Sequence, residues 1–228
     1  MEAMAAQTQY EDGYWWSKDG LRLHYRDYPG RADRPPILCI PGLTRNARDF
    51  AHVADRLAGD WRLICVDLRG RGESGYSKLP MSYGPLTYLQ DLEDLLDTLG
   101  IERFVSFGTS LGGLMTMMLA AHRTGRIAGA LLNDIGPVIE DTGLERIRGF
   151  VGKSGSWPSW MHAARATANT LGAAHPDYDL SRWISLSKRL NRLTAQGRIV
   201  PDYDARIAEP MRHPAEAMDL WPAFEALR

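Results

Sequence analysis

The chain is poor in the features that mark secreted, membrane-spanning or polyanion-binding proteins. Only two of its 228 residues are cysteine. Cys39 and Cys65 each sit inside a short apolar run, ILCI and RLICV, where a small buried thiol is expected rather than a disulfide framework. A reducing, cytoplasmic setting fits that pattern. No run approaches the ~18 consecutive apolar residues of a membrane span, and the N-terminal MEAMAAQTQYEDGYWW lacks a basic segment followed by an apolar one. The formal net charge is −1 and charge clusters are short and mixed, so neither nucleic acid nor membrane is an expected partner. Cysteine and histidine never fall at ligand spacing, so no metal or other cofactor is implied. Internal repeats and low-complexity tracts are missing as well.

What is present is the composition of a globular chain, 44% hydrophobic. Residues 13–27, GYWWSKDGLRLHYRD, alternate in polarity around Lys18-Asp19-Gly20, the pattern of an antiparallel hairpin with one wet face. Four later runs differ: ILCI at 37–40, RLICVD at 62–67, RFVSFG at 103–108 and GALLND at 129–134 are almost continuously apolar. Strands buried on both faces of a parallel sheet read this way.

Helical patterns lie between them. In PLTYLQDLEDLLDTLG, Leu86, Leu89, Leu92, Leu95, Leu96 and Leu99 recur at helical spacing and Gly100 supplies a stop. Asn46 can cap a second helix that buries Phe50, Val53 and Leu57. A third starts at Ser110, with Leu114, Met115, Met118 and Leu119 on its apolar positions. Alternating strands and helices predict an α/β fold with a mostly parallel central sheet flanked by helices. After Asp134 the alternation stops. Residues 141–222 carry Trp157, Trp160, Trp183 and Trp221, are broken by six prolines including Pro214, and contain no convincing core strand.

The chemistry concentrates in FGTSLGG, at the junction of a strand and a helix. Gly108-Thr109-Ser110-Leu111-Gly112 matches G-x-S-x-G, whose glycines Gly108 and Gly112 allow a turn sharp enough to stand the serine hydroxyl above the sheet edge. The following helix aims free amides and the positive end of its dipole at that point. Pro41-Gly42-Leu43-Thr44, after ILCI, can bring one more amide beside the serine. The N–H groups of Leu43 and Leu111 are therefore the expected oxyanion hole.

IPGLTRNARDF, VDLRGRGES and FGTSLGG, in that order, resemble the oxyanion loop, the loop after the fourth strand and the nucleophile turn of the α/β-hydrolase superfamily. The resemblance covers nearly the whole chain. It implies an antiparallel edge to the sheet, a cap inserted after the sixth strand and a Ser–His–acid triad. On that basis residues 1–138 form the core, 139–222 a helical cap, and 223–228 the start of a return to the core. The cap tryptophans would line an apolar substrate pocket or form the cap's own core. A serine nucleophile argues against the dehalogenase and epoxide-hydrolase branches, which the family builds on an aspartate. The activity implied is hydrolysis of an ester, lactone or thioester with a small apolar acyl group; carbon–carbon bond hydrolases and cofactor-free haloperoxidases share the turn.

The triad itself is incomplete in the sequence. A serine needs a base, usually a histidine oriented by a carboxylate, in the chain order Ser, acid, His. His122 lies ~18 Å along the same helix from Ser110; His162, His175 and His213 fall in the expected cap; His24 and His52 precede the serine. Asp134, at the end of the last strand, is the one acid with a plausible address, and holding loop amides is its alternative role. Six strands are counted where the family has eight. The reading is therefore of a C-terminally incomplete hydrolase whose base lies beyond Arg228. The rival is a catalytically inactive remnant or binding protein of the same fold, with self-association through an unpaired apolar edge. Two decoys fail their context. Gly70-Arg71-Gly72-Glu73-Ser74-Gly75 satisfies G-x-G-x-x-G but YSKLPMSYGP follows instead of a helix, and Ser185-Leu186-Ser187-Lys188 reads as a solvated helical face.

Overall fold

The computed structural model describes residues 8–153, 155–213 and 219–228. Expectations placed on 1–7 and on Pro214 lie outside these residues. β1 (Glu11–Trp16) and β2 (Arg22–Tyr28) pair antiparallel around a turn closed by Gly20 at φ 76. β2 continues antiparallel onto β4 (Leu63–Asp67). From β4 the sheet is parallel, through β3 (Ile37–Ile40), β5 (Phe104–Thr109) and β6 (Ile127–Asn133), giving the order β1-β2-β4-β3-β5-β6.

Every residue of β3 and β4 is buried, because the two-residue period of a strand sends alternate side chains into two different cores. Leu38, Ile40, Ile64 and Val66 join the larger cluster. It is built with α2 (Pro85–Thr98) and α3 (Leu111–His122). Ile37, Cys39, Leu63 and Cys65 face the opposite side, against Phe50 and Ala54. These belong to a 3₁₀ turn, Ala47–Phe50, and to α1 (Ala51–Leu57). Asn46 caps the 3₁₀ turn by accepting from the Arg48 amide at 3.1 Å. Both cysteines are free and buried.

α2 starts at Pro85, where the missing N–H costs nothing, and is followed by Gly100 at φ 62. Its leucines are buried as the spacing predicts except Leu86, which shares a face with Leu89 but is 72% exposed in the first turn, where that face is not covered.

After β6 come α4 (Asp141–Phe150), α5 (Trp160–Leu171) and α6 (Leu180–Leu190). α5 and α6 pack through Ala164, Trp183 and Leu186, so Trp183 is part of a small separate core between these two helices. One feature differs from the expected helical cap. A two-stranded hairpin, β7 (Asn191–Leu193) with β8 (Ile199–Pro201), follows α6; strands of three residues containing Asn and Arg carry no readable alternation. Trp221 opens α7 (Trp221–Glu225), which packs on α3. Val151, Ile207 and Ala208, from the segment after β6, belong to the main core cluster. No helix among the described residues is long and apolar enough to cross a membrane.

Candidate active site

Ser110 sits between β5 and α3 with φ 50 and ψ −113, a backbone conformation that L-residues seldom adopt. Its amide donates to the Asn133 carbonyl at 2.9 Å, and its carbonyl receives the amides of Gly113 (2.8 Å) and Leu114 (3.1 Å). The strain is thus held by the neighbouring strand on one side and the helix on the other. The flanking glycines are required by space. A Cβ on Gly108 would stand 2.3 Å from the Gly112 carbonyl oxygen, and one on Gly112 would stand 1.9 Å from that of Ile40. No described residue hydrogen-bonds to the Ser110 hydroxyl.

The loop after β3 reaches the serine. The point where a Gly42 Cβ would stand is 3.8 Å from Ser110 Cβ and 3.7 Å from the Thr109 carbonyl oxygen. The Gly42 carbonyl accepts from the Arg45 amide at 3.0 Å, and the Leu43 carbonyl accepts from Arg71 Nε at 2.8 Å. Both carbonyls flanking the Leu43 amide are therefore fixed, and that amide itself donates to no described residue. Leu111, as the first residue of α3, has no intrahelical acceptor for its own amide. The loop after β3 and the first turn of α3 thus each carry an amide without a described acceptor near Ser110, which stands at the positive end of a helix dipole.

Asp134 follows β6 directly and is exposed, with φ 58. Since Thr109 and Asn133 are partners in the β5–β6 register, Ser110 and Asp134 leave adjacent strands side by side, the only two non-glycine residues with positive φ among those described. No hydrogen bond ties the Asp134 carboxylate to a described residue.

The histidines go elsewhere. His122 pairs with Glu93 at 2.7 Å, His162 with Ser159 at 2.8 Å and His52 with Arg189 at 3.1 Å. His175 stacks on Tyr178, and His213 is exposed. His24 is buried, with Nδ1 2.7 Å from Asp67 and Nε2 2.8 Å from Asp12. Burial pulls its pKa down, but the two carboxylates outweigh that and hold it above the ordinary 6.5.

Sequence reading missed what the DLRGRGES segment does. Asp67 accepts from the amides of Ala47 (2.6 Å) and Glu73 (3.0 Å) as well as pairing with His24. Gly72, at φ 51, wraps so tightly that a Cβ would meet the Asp67 carboxylate at 2.2 Å. Arg69 is buried between Asp91 and Asp19. Gly72 serves a turn around the buried Asp67 carboxylate, while a Cβ on Gly70 or Gly75 would meet Tyr83 at 2.7 Å or Leu21 at 2.8 Å, which accounts for the glycine spacing. A cavity of about 730 Å³ lies in the segment after β6, walled by Val151, Ala208, Met211, Arg148, Lys153 and Arg212. Ser110 does not line it, although Val151 and Ala208 belong to the core cluster against which Leu43 and Leu111 pack.

Comparison with known proteins agrees with this architecture. Residues 35–227 match the α/β hydrolase fold family. The 3-hydroxybutyrate-oligomer hydrolase of Cupriavidus necator is 31% identical over 216 residues, covering 90% of this chain and 73% of the relative. Mouse epoxide hydrolase 4 is 31% identical over 101 residues, but that match covers only 44% of this chain and 28% of the relative. The crystal structure of an α/β hydrolase from Novosphingobium aromaticivorans superposes with a TM-score of 0.93 at 56% identity, over 97% of this chain and 79% of that one. The relatives are hydrolases by name, and the chain belongs to the α/β hydrolase fold family.

Proposed function

We propose that the protein is a serine hydrolase that cleaves a carboxylic ester, lactone or thioester through an acyl-enzyme on Ser110. The observation that carries this reading is the strained Ser110 backbone at the start of α3, with a hydroxyl that no described residue hydrogen-bonds; the Leu43 and Leu111 amides are the donors assigned to the oxyanion. Ser110 Oγ attacks the carbonyl carbon, the carbonyl oxygen takes the negative charge, and the two amides bind it. A base must remove the hydroxyl proton; Asp134, beside the serine at the end of β6, is the candidate to orient it. The relative that matches most of the chain acts on 3-hydroxybutyrate oligomers by name, which favours esters of short hydroxy acids as the substrate class. Serine at the nucleophile position separates this chain from an aspartate-based epoxide chemistry.

A second reading, an inactive binding protein of the same fold, is favoured by one observation: none of the six histidines of the chain hydrogen-bonds to the serine hydroxyl. The two separate in a pH-stat assay of a 3-hydroxybutyrate dimer, run on the 228-residue chain and on any longer form its gene encodes. Hydrolysis is expected, with Ser110→Ala lowering kcat by at least ~10³-fold. Saturable binding without turnover in every form would favour the inactive reading.

A further inference from the structure

Arg71 differs from every other buried cation near the site. It is 0% exposed, yet no described carboxylate lies within ion-pairing distance, whereas Arg69, two residues earlier, pairs with both Asp19 and Asp91. Its guanidinium is instead spread over neutral oxygens. Nε donates to the Leu43 carbonyl at 2.8 Å, and Nη1 donates to the Arg69 carbonyl at 2.6 Å and the Tyr88 hydroxyl at 2.9 Å. Its Cζ lies 5.0 Å from the Tyr88 ring centroid and 5.8 Å from that of Tyr83. Nη2 has no partner. Burying a cation without a counter-charge is unfavourable, and an apolar side chain of similar volume would fill the site without that penalty.

The backbone of the same residue is held by the cap. Arg71 bridges Tyr203, the Gly72 amide donates to the Asp202 carbonyl at 3.2 Å, and the Asp204 amide donates to that of Gly70 at 2.7 Å. The Tyr83 hydroxyl donates to Asp204 at 2.6 Å, and Arg48 pairs with Asp202. A residue anchored on both sides thus extends a rigid, planar fork to the one loop that brings Leu43 beside Ser110. A lysine could not reproduce it, since an ammonium lacks the fork that spans three acceptors.

We propose that Arg71 is a positioning residue for the proposed hydrolysis, fixing the Leu43 peptide so that its amide points at the oxyanion. The inference rests on the reading of Leu43 as an oxyanion donor. It follows that the loop after β4, not the loop after β3 alone, sets the geometry of the oxyanion hole, and through Tyr203 that geometry is tied to the seating of the cap.

The test compares Arg71→Met and Tyr88→Phe with the parent protein, by ester-hydrolysis kinetics and by amide hydrogen exchange at Arg45, whose N–H is bonded to the Gly42 carbonyl. Arg71→Met is expected to lower kcat by ~10–100-fold, the scale of a small misplacement of a catalytic group, with KM changed by less than about threefold. Exchange at Arg45 should accelerate while the amides of β3 and β5 keep their protection. Tyr88→Phe removes one anchor of the fork and should act in the same direction by a few-fold; it decides the matter if Arg71→Met does not fold. Folded variants with unchanged kcat and unchanged Arg45 exchange would overturn the proposal. So would uniform acceleration across β3 and β5, which marks a purely structural residue. If the parent protein hydrolyses no ester, the hydrolase reading fails, while Arg45 exchange still reports whether Arg71 holds the loop.

Discussion

β4 and β6 are written in much the same alphabet, LICVD against IAGALLN, yet β4 is buried at all five positions whereas β6 is exposed at most of its seven. Position explains the difference. β4 lies inside the sheet with helices over both faces, and β6 forms the edge, where Leu131 remains 48% exposed. An apolar run records a demand for burial, and the neighbours decide whether that demand is met. The two strands also carry different work at their ends. β4 leads into the Asp67 network that holds the loops, while β5 and β6 end in the two strained residues, Ser110 and Asp134.

Side-chain truncation should separate the strands most clearly. Ile64→Ala is expected to destabilise by about 3 kcal/mol, as large-to-small changes in closed cores do. Leu131→Ala should cost no more than about 0.5 kcal/mol, as for exposed sites. Paired denaturant melts of the two variants check this, and equal losses would mean that β6 is covered in solution.

A smaller effect is expected from His24, which joins β2 to the end of β4. Its folded pKa lies above the ordinary value, so protonated His24 stabilises the fold fully below about pH 6.5, and that contribution fades as pH rises through the raised folded value. Melting temperature should therefore fall between about pH 6 and pH 8, and His24→Gln should flatten the slope. A rise over that range would reverse the sign assigned to the Asp67 and Asp12 partners.

The smallest change in stability, and a distinct change in behaviour, is expected from Leu131→Lys. An apolar edge strand is a template for pairing with another chain, and a lysine there opposes it. If the 228-residue chain self-associates through β6, light scattering should show the variant shifted toward monomer with its melt unchanged. A parent chain that is monomeric at high concentration would show that the edge is not sticky.

Much of the architecture is legible in the sequence because it rests on short-range rules. ILCI is β3 to the residue, the other core strands shift by two residues or fewer, and Pro85 and Gly100 bracket α2 as helix chemistry demands. The strained turn at Ser110 is legible for the same reason: glycines that must yield space announce a close approach. What stayed hidden depends on partners far apart in the chain. Nothing local to Arg71 says that it reaches Leu43, nor does anything local to His24 reveal the Asp67 carboxylate across the strand pair. The β7–β8 hairpin was hidden because three-residue strands are too short to show a period. Leu86 misled for the converse reason, since periodicity marks a face and not how far along the helix that face is covered.

The central claim is that Ser110 is a nucleophile served by the Leu43 and Leu111 amides. A fluorophosphonate, whose phosphoryl oxygen imitates the oxyanion, tests it most directly when the labelled residue is located by mass spectrometry in the 228-residue chain and in any longer form its gene encodes. A single adduct on Ser110, lost in Ser110→Ala, is the predicted result. Labelling at another residue, or none in any form of a folded protein, would contradict the account.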